Sequence, residues 1–130
     1  MKILPENKTL LFLAIFTTLF FCIAIPLIYN MLKYKYTFSD AGLRLLFYLD
    51  EDTEWAKGLS DNQFFKIQTG MSKGQVLHLV GKPLSKYCYE KGCTWTYTWQ
   101  RKPTNDYDRR EVLLDTQGYV VNKRHEFFID

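Results

Sequence analysis

Between Lys8 and Lys33 the chain carries no charged side chain, an interval of 24 residues from Thr9 to Leu32. No other feature restricts its fold so strongly. A bilayer hydrocarbon core is crossed by about 20 predominantly apolar residues in helical form. The run Leu10–Phe16 and Leu19–Ile25 supplies them. Thr17 and Thr18 are tolerated there, because a helix threonine can return its hydroxyl to a carbonyl one turn back. Pro26 falls near the far end, where a kink costs least. Tyr29, Tyr34 and Tyr36 gather at that end, as an interfacial aromatic belt does.

Three fates are open to such a segment. It can be an uncleaved signal anchor, a cleavable signal peptide with Cys22-Ile23-Ala24 as its small-x-small site, or a lipoprotein signal ending at Cys22. Its apolar core exceeds the roughly 7–15 residues of a secretory h-region, which favours the anchor. Lipid attachment needs a small residue before the cysteine, and Phe21 is bulky. Cys22 is therefore read as an apolar membrane residue. Lys2 and Lys8 on one side nearly balance Lys33 and Lys35 on the other, so the positive-inside count decides little. A tail of about eight residues normally stays cytoplasmic as a signal anchor. The expected localisation is the inner membrane, single-pass, with the C-terminal domain in the periplasm.

Composition excludes several classes. Hydrophobic residues are 47% and aromatics 17%, which is no disordered composition. A net charge of +3 without a Lys/Arg run is no nucleic-acid footprint. Three cysteines exclude a dense disulfide scaffold and leave room for one intrachain bridge.

Beyond the basic-aromatic linker 33–37, Ser39 and Asp40 are N-cap candidates. Leu43, Leu46 and Phe47 follow at helical spacing, with Leu45 and Leu49 widening the arc. Asp50-Glu51-Asp52-Thr53-Glu54 lacks the spacing of a calcium loop and reads as a solvated face or turn. Ser60 opens a short helix with Phe64, Phe65 and Ile67 as its apolar side, and Gly70 breaks it. Ser72-Lys73-Gly74-Gln75 is a capping box. The helix it opens carries Val76, Leu77, Leu79 and Val80 and stops at Gly81, with Pro83 beyond.

After Pro83 the period changes to two. In Thr94–Trp99, Trp95, Tyr97 and Trp99 share one face, which should cover the helices, and the threonines share the other. Residues 100–108, with Pro103, Asn105 and Asp106, form a hairpin loop. Arg110–Asp115 is a second strand, Asp115-Thr116-Gln117-Gly118 a turn, and Tyr119–Phe128 a third strand. Helices followed by antiparallel strands imply an α+β layer.

The string Ile67–Val76 followed by Leu79-Val80-Gly81-Lys82-Pro83-Leu84 resembles the SmpA/OmlA family, the domain of the outer-membrane assembly factor BamE. The family pattern is an apolar residue, a Gly-Met-Ser/Thr cap, a helix with Val, and then Gly-x-Pro. Trp95-x-Tyr97, and Arg110-x-Val112-x-Leu114 before Gly118-x-Val120, also match its strands. The resemblance covers residues 60–128, with Gly70, Met71, Ser72, Gln75, Gly81 and Pro83 as its structural motif. It implies two short helices on a three-stranded antiparallel sheet, here preceded by a transmembrane helix. The organisation expected is a tail 1–8, a transmembrane helix 9–30, a juxtamembrane linker and short amphipathic helix 31–59, and a BamE-like domain 60–130. Known assembly-machine members are lipoproteins, whereas this chain has a membrane helix and the added segment 39–57.

Catalytic chemistry finds little support. Cys88 and Cys93 flank Tyr89-Glu90-Lys91-Gly92; if these positions pair across a hairpin, the thiols face each other and can bridge after export. Two free buried thiols are the other reading. His78 and His125 are too few for a metal or catalytic set, and Ser72 is a cap rather than a nucleophile. No cofactor, nucleic acid or small-molecule substrate is expected, and the chain is not expected to be an enzyme. The candidate partner-binding residues are Trp95, Tyr97 and Trp99, if exposed, with the basic loop Arg101, Lys102, Arg109 and Arg110. The resemblance implies an envelope assembly or maintenance accessory, its envelope partner unidentified. The alternative is an inhibitor or immunity-type protein that blocks a periplasmic enzyme, for which an acidic patch at Asp50–Glu54 would speak.

Overall fold

The computed structural model of the chain describes residues 6–47, 49, 51–103 and 106–129. Lys2, Asp50 and Asn105, invoked above, lie outside the described residues. The chain divides into two compact units, Met1–Leu45 and Leu46–Asp130.

In the first unit, helix α1 runs over Glu6–Tyr34. Its stretch Lys8–Tyr34 is long and apolar enough to cross a membrane, and the side chains of residues 8–23 are exposed. Thr17 Oγ1 donates to the Leu13 carbonyl at 2.9 Å and Thr18 Oγ1 to the Ala14 carbonyl at 2.8 Å. The hydroxyls are thus satisfied within the helix. The helix continues past Pro26 and ends before Lys35, whose φ of 52° is left-handed. Helix α2, Phe38–Leu46, follows. Its cap is Thr37, not Ser39 or Asp40. Thr37 Oγ1 accepts from the Asp40 N–H at 3.2 Å and donates to Asp40 Oδ2 at 2.8 Å. The chain needs three residues to turn after α1, which places the first free amides beside Thr37.

In the second unit, strand β1 (Thr53–Trp55) precedes helices α3 (Asp61–Phe65) and α4 (Lys73–Val80). Strands β2 (Ser85–Tyr89), β3 (Gly92–Thr96), β4 (Thr98–Gln100), β5 (Tyr107–Leu114) and β6 (Val120–Phe128) follow. The main sheet is antiparallel in the order β2-β3-β5-β6, and β1 pairs separately with β4. The class is α+β, with more strands than the three expected.

Each extra strand has a reason. The Thr94–Trp99 alternation is not one strand. The Tyr97 N–H donates to the Arg110 carbonyl at 2.9 Å, but the Arg110 N–H donates to Thr98 Oγ1 at 2.7 Å. A side-chain oxygen thus replaces a ladder carbonyl, and residues 98–100 leave β5 to pair with β1. Strand β1 overlaps the end of the acidic run that reads as a turn; its backbone pairing supplies what its composition does not. Strand β2 is a sheet edge exposed along its whole length, so no apolar alternation marks it. Gly92 closes the β2–β3 hairpin at φ 143°, and a Cβ there would collide with the Leu114 carbonyl.

The core forms where the helices meet one face of the sheet. Phe64, Ile67, Val76 and Val80 pack with Trp95, Tyr97, Val112, Leu114 and Val120. Burying a side chain of this size contributes about 1.5–3 kcal/mol. Both helices are capped by serine: Ser60 accepts from the Gln63 N–H and Ser72 from the Gln75 N–H, each at 3.3 Å.

Candidate binding surface

Strand parity assigns the site residues. On β3, β5 and β6, Trp95, Val112 and Lys123 lie in one row facing the helices. The row Thr94, Leu113 and Asn122 faces the other way, as does Thr96, Glu111 and Arg124. Charge pairs lace that second face. Arg124 Nη1 lies 3.2 Å from Glu111 Oε2, and Arg109 Nη1 lies 3.0 Å from Glu126 Oε1.

Three of the expected binding residues are buried. Trp95 is 4% exposed and Tyr97 is fully buried, because both point at α3 and α4. The Tyr97 hydroxyl donates to the Gly81 carbonyl at 3.1 Å, tying the end of α4 to the sheet. Burial holds its phenol well above the ordinary tyrosine range. Arg110 is also fully buried; its Nε meets Asp61 Oδ1 at 2.8 Å, anchoring the start of α3. Trp95 and Tyr97 cover the helices, as their strand face predicts, so the condition of exposure fails for them; Arg110 is a correction, since it belongs to the core and not to the basic loop.

The others remain accessible. Trp99 is 49% exposed, because β4 has left the main sheet. Arg101 and Lys102 are exposed beside it, and Arg101 Nη1 reaches Asp52 Oδ1 at 3.8 Å. Arg109 is half-buried and joins an aromatic row that sequence reasoning missed, in which Tyr107 is buried. The Trp99 and Tyr107 ring centroids are 6.0 Å apart, and those of Tyr107 and Phe128 are 5.4 Å apart. The Arg109 guanidinium lies 3.6 Å from the Phe128 ring centroid. The available signal was the i, i+2 spacing of Tyr107 with Arg109 and of Glu126 with Phe128, which puts each pair on one strand face. Trp, Tyr and Arg are the residues that most often dominate binding energy at protein interfaces.

At the other edge, Cys88 and Cys93 stand opposite each other in the β2–β3 ladder and are joined as a disulfide. With Lys73, Leu77, Lys86 and Trp95 they line an open groove of about 520 Å³ beside α4. Lys86 Nζ sits 4.4 Å from the Trp95 ring centroid. Among the described residues, no group of His, Cys, Asp and Glu could hold a metal ion. His78 is exposed, and His125 packs edge-on to Phe65.

The motif positions form the joint between helix and sheet. The Gly70 N–H donates to the Val120 carbonyl and the Val120 N–H to the Met71 carbonyl, both at 2.8 Å. Ser72 and Gln75 complete a reciprocal capping box. Gly81, at φ 78°, ends α4, and its N–H donates to the Leu77 carbonyl at 2.9 Å. Pro83 is half-buried just beyond. A comparison with curated proteins finds no match. The family model described as the outer membrane protein assembly factor BamE domain matches residues 58–124, more than half of the 130 residues. The match takes in the joint, both helices and most of the main sheet, and the chain belongs to the BamE family.

Proposed function

We propose that the chain is a membrane-anchored periplasmic binding module that serves as an accessory in outer-membrane protein assembly or envelope maintenance. The organisation is a tail 1–8, an inner-membrane helix 9–30, a linker with a short helix 31–59, and the BamE-like domain 60–130. The observation that carries this reading is family membership over residues 58–124. The apolar helix α1 and a disulfide suited to an oxidising compartment support export of the domain. The work is recognition rather than catalysis. Trp99, Arg101, Lys102 and Arg109 are the contact residues, with Tyr107 and Phe128 as the platform beneath them.

The inhibitor reading rested on a free acidic patch. Glu51 accepts from the Thr53 N–H and from its hydroxyl, and Asp52 is paired with Arg101. These carboxylates act within the unit, so the structure does not favour that alternative.

Cross-linking of the full-length chain in intact membranes, with the partners identified by mass, tests the proposal. Recovery of outer-membrane assembly components is expected. Recovery of one soluble enzyme without any of them overturns it. Trp99→Ala should weaken capture by about 2 kcal/mol, about thirtyfold in affinity, as loss of an interface anchor does.

A further inference from the structure

The amphipathic helix α2 exposes large apolar side chains. Phe38 is 69% exposed and Leu46 is 77% exposed. The opposite side of α2 is engaged: Ala41 is fully buried, and Arg44 is 7% exposed. Arg44 Nη2 donates to Tyr34 Oη at 3.1 Å and Nη1 to Asn30 Oδ1 at 3.4 Å. Its guanidinium carbon lies 4.1 Å from the Tyr34 ring centroid. Asn30 Nδ2 in turn donates to the Ala41 carbonyl at 3.4 Å. These contacts hold α2 against the last turns of α1, so its outward side chains have a fixed direction.

That direction identifies the occupant. Phe38 closes one end of an almost wholly apolar groove of about 450 Å³, whose other walls are Phe20, Ile23, Leu27 and Met31 of α1. The apolar surface of α2 is therefore continuous with that of the helix that crosses the membrane. Lys33 lies over the Tyr29 and Tyr34 rings, 5.2 and 4.8 Å from their centroids, just beyond Met31 of that groove. Amphipathic cations and tyrosines of this kind mark the headgroup region.

We propose that α2 is an interfacial helix whose Phe38–Leu46 edge is seated in the lipid at the bilayer boundary beside α1. This rests on α1 being a membrane span. A seated helix buries its apolar edge about 5–10 Å below the headgroups. It would fix the level at which the chain leaves the bilayer.

Nitroxide labels on the full-length chain, in vesicles of phosphatidylethanolamine and phosphatidylglycerol, test it. Single cysteines are placed by Phe38→Cys, Leu46→Cys or Lys57→Cys in a Cys22→Ser background, while native Cys22 is labelled separately. Labels at 38 and 46 should collide several-fold faster with oxygen than with a water-soluble nickel chelate. The label at the exposed position 57 should show the reverse. Chelate-dominated collisions at 38 and 46, with oxygen-dominated collisions at 22, overturn the proposal and leave the span standing. Low rates with both reagents at 38 and 46 mean that protein, such as a second copy, covers the edge, and also overturn it. Chelate-dominated collisions at 22 remove the span and this proposal together.

Discussion

Tyr97 and Arg110 are joined through the Tyr97 N–H, which donates to the Arg110 carbonyl, and each makes a testable statement about stability. The raised Tyr97 phenol is neutral in the fold at a pH where an unfolded tyrosine, near pH 10, ionises. A folded-state value above the unfolded one gives stability that is complete below about pH 10 and is lost as the pH rises beyond it. Urea titrations from pH 8 to 11 should show this loss. Tyr97→Phe should flatten it while costing about 1 kcal/mol at neutral pH for the hydrogen bond to Gly81. For Arg110, removing its partner leaves a buried guanidinium without that carboxylate. Asp61→Ala should therefore cost about 3–5 kcal/mol in urea unfolding. The sequence placed the face of Trp95, Tyr97 and Trp99 over the helices, but it showed neither the Tyr97 bond to Gly81 nor the Arg110 pair with Asp61. A run of Arg109 and Arg110 does not say which of the two turns inward. Strand parity places Arg109 beside Glu126 on one face and Arg110 on the other, so the two arginines have opposite fates.

The helices were the most readable elements, because their signals are local. Ser72 and Gln75 satisfy each other within one turn, so the capping box needs no tertiary partner. Ser72→Ala should cost about 1 kcal/mol, checked by thermal unfolding of the domain. The α2 cap was displaced from Ser39 and Asp40 to Thr37, a shift set by where α1 releases the chain. Strands depend on neighbours, and those missed were the ones that owe most to them. β1 is three residues long and polar, and β2 is an exposed edge. The β2 edge is held to β3 by the Cys88–Cys93 bond, which closes a loop of a few residues. Replacing both cysteines by serine should cost about 2 kcal/mol, modest because the loop is short. Hydrogen exchange should then rise first in Ser85–Thr96, with the β5–β6 amides little changed.

At the scale of the whole molecule the chain divides into two compact units. The core cluster runs from Ala56 to Val120 and takes no residue from the first unit. A chain limited to Leu46–Asp130 should therefore unfold in one cooperative transition with a midpoint close to that of the same unit in the full chain. A non-cooperative melt would show that the first unit is needed for folding. The sequence by itself determined the apolar span, the capped α4, the α+β class and the family, because each is written in short-range periodicity, caps and turn glycines. Only the tertiary structure decided that Arg110 is core, that Arg109 is half-buried on the opposite face, and that Trp99 is exposed while Trp95 and Tyr97 are not. It also decided that Thr98 rather than a ladder carbonyl receives the Arg110 amide, splitting one expected strand into two. The physical reason is the same in each case. Burial, edge position and strand register depend on which distant segment lies opposite, and a local pattern fixes the direction of a side chain without fixing what it meets.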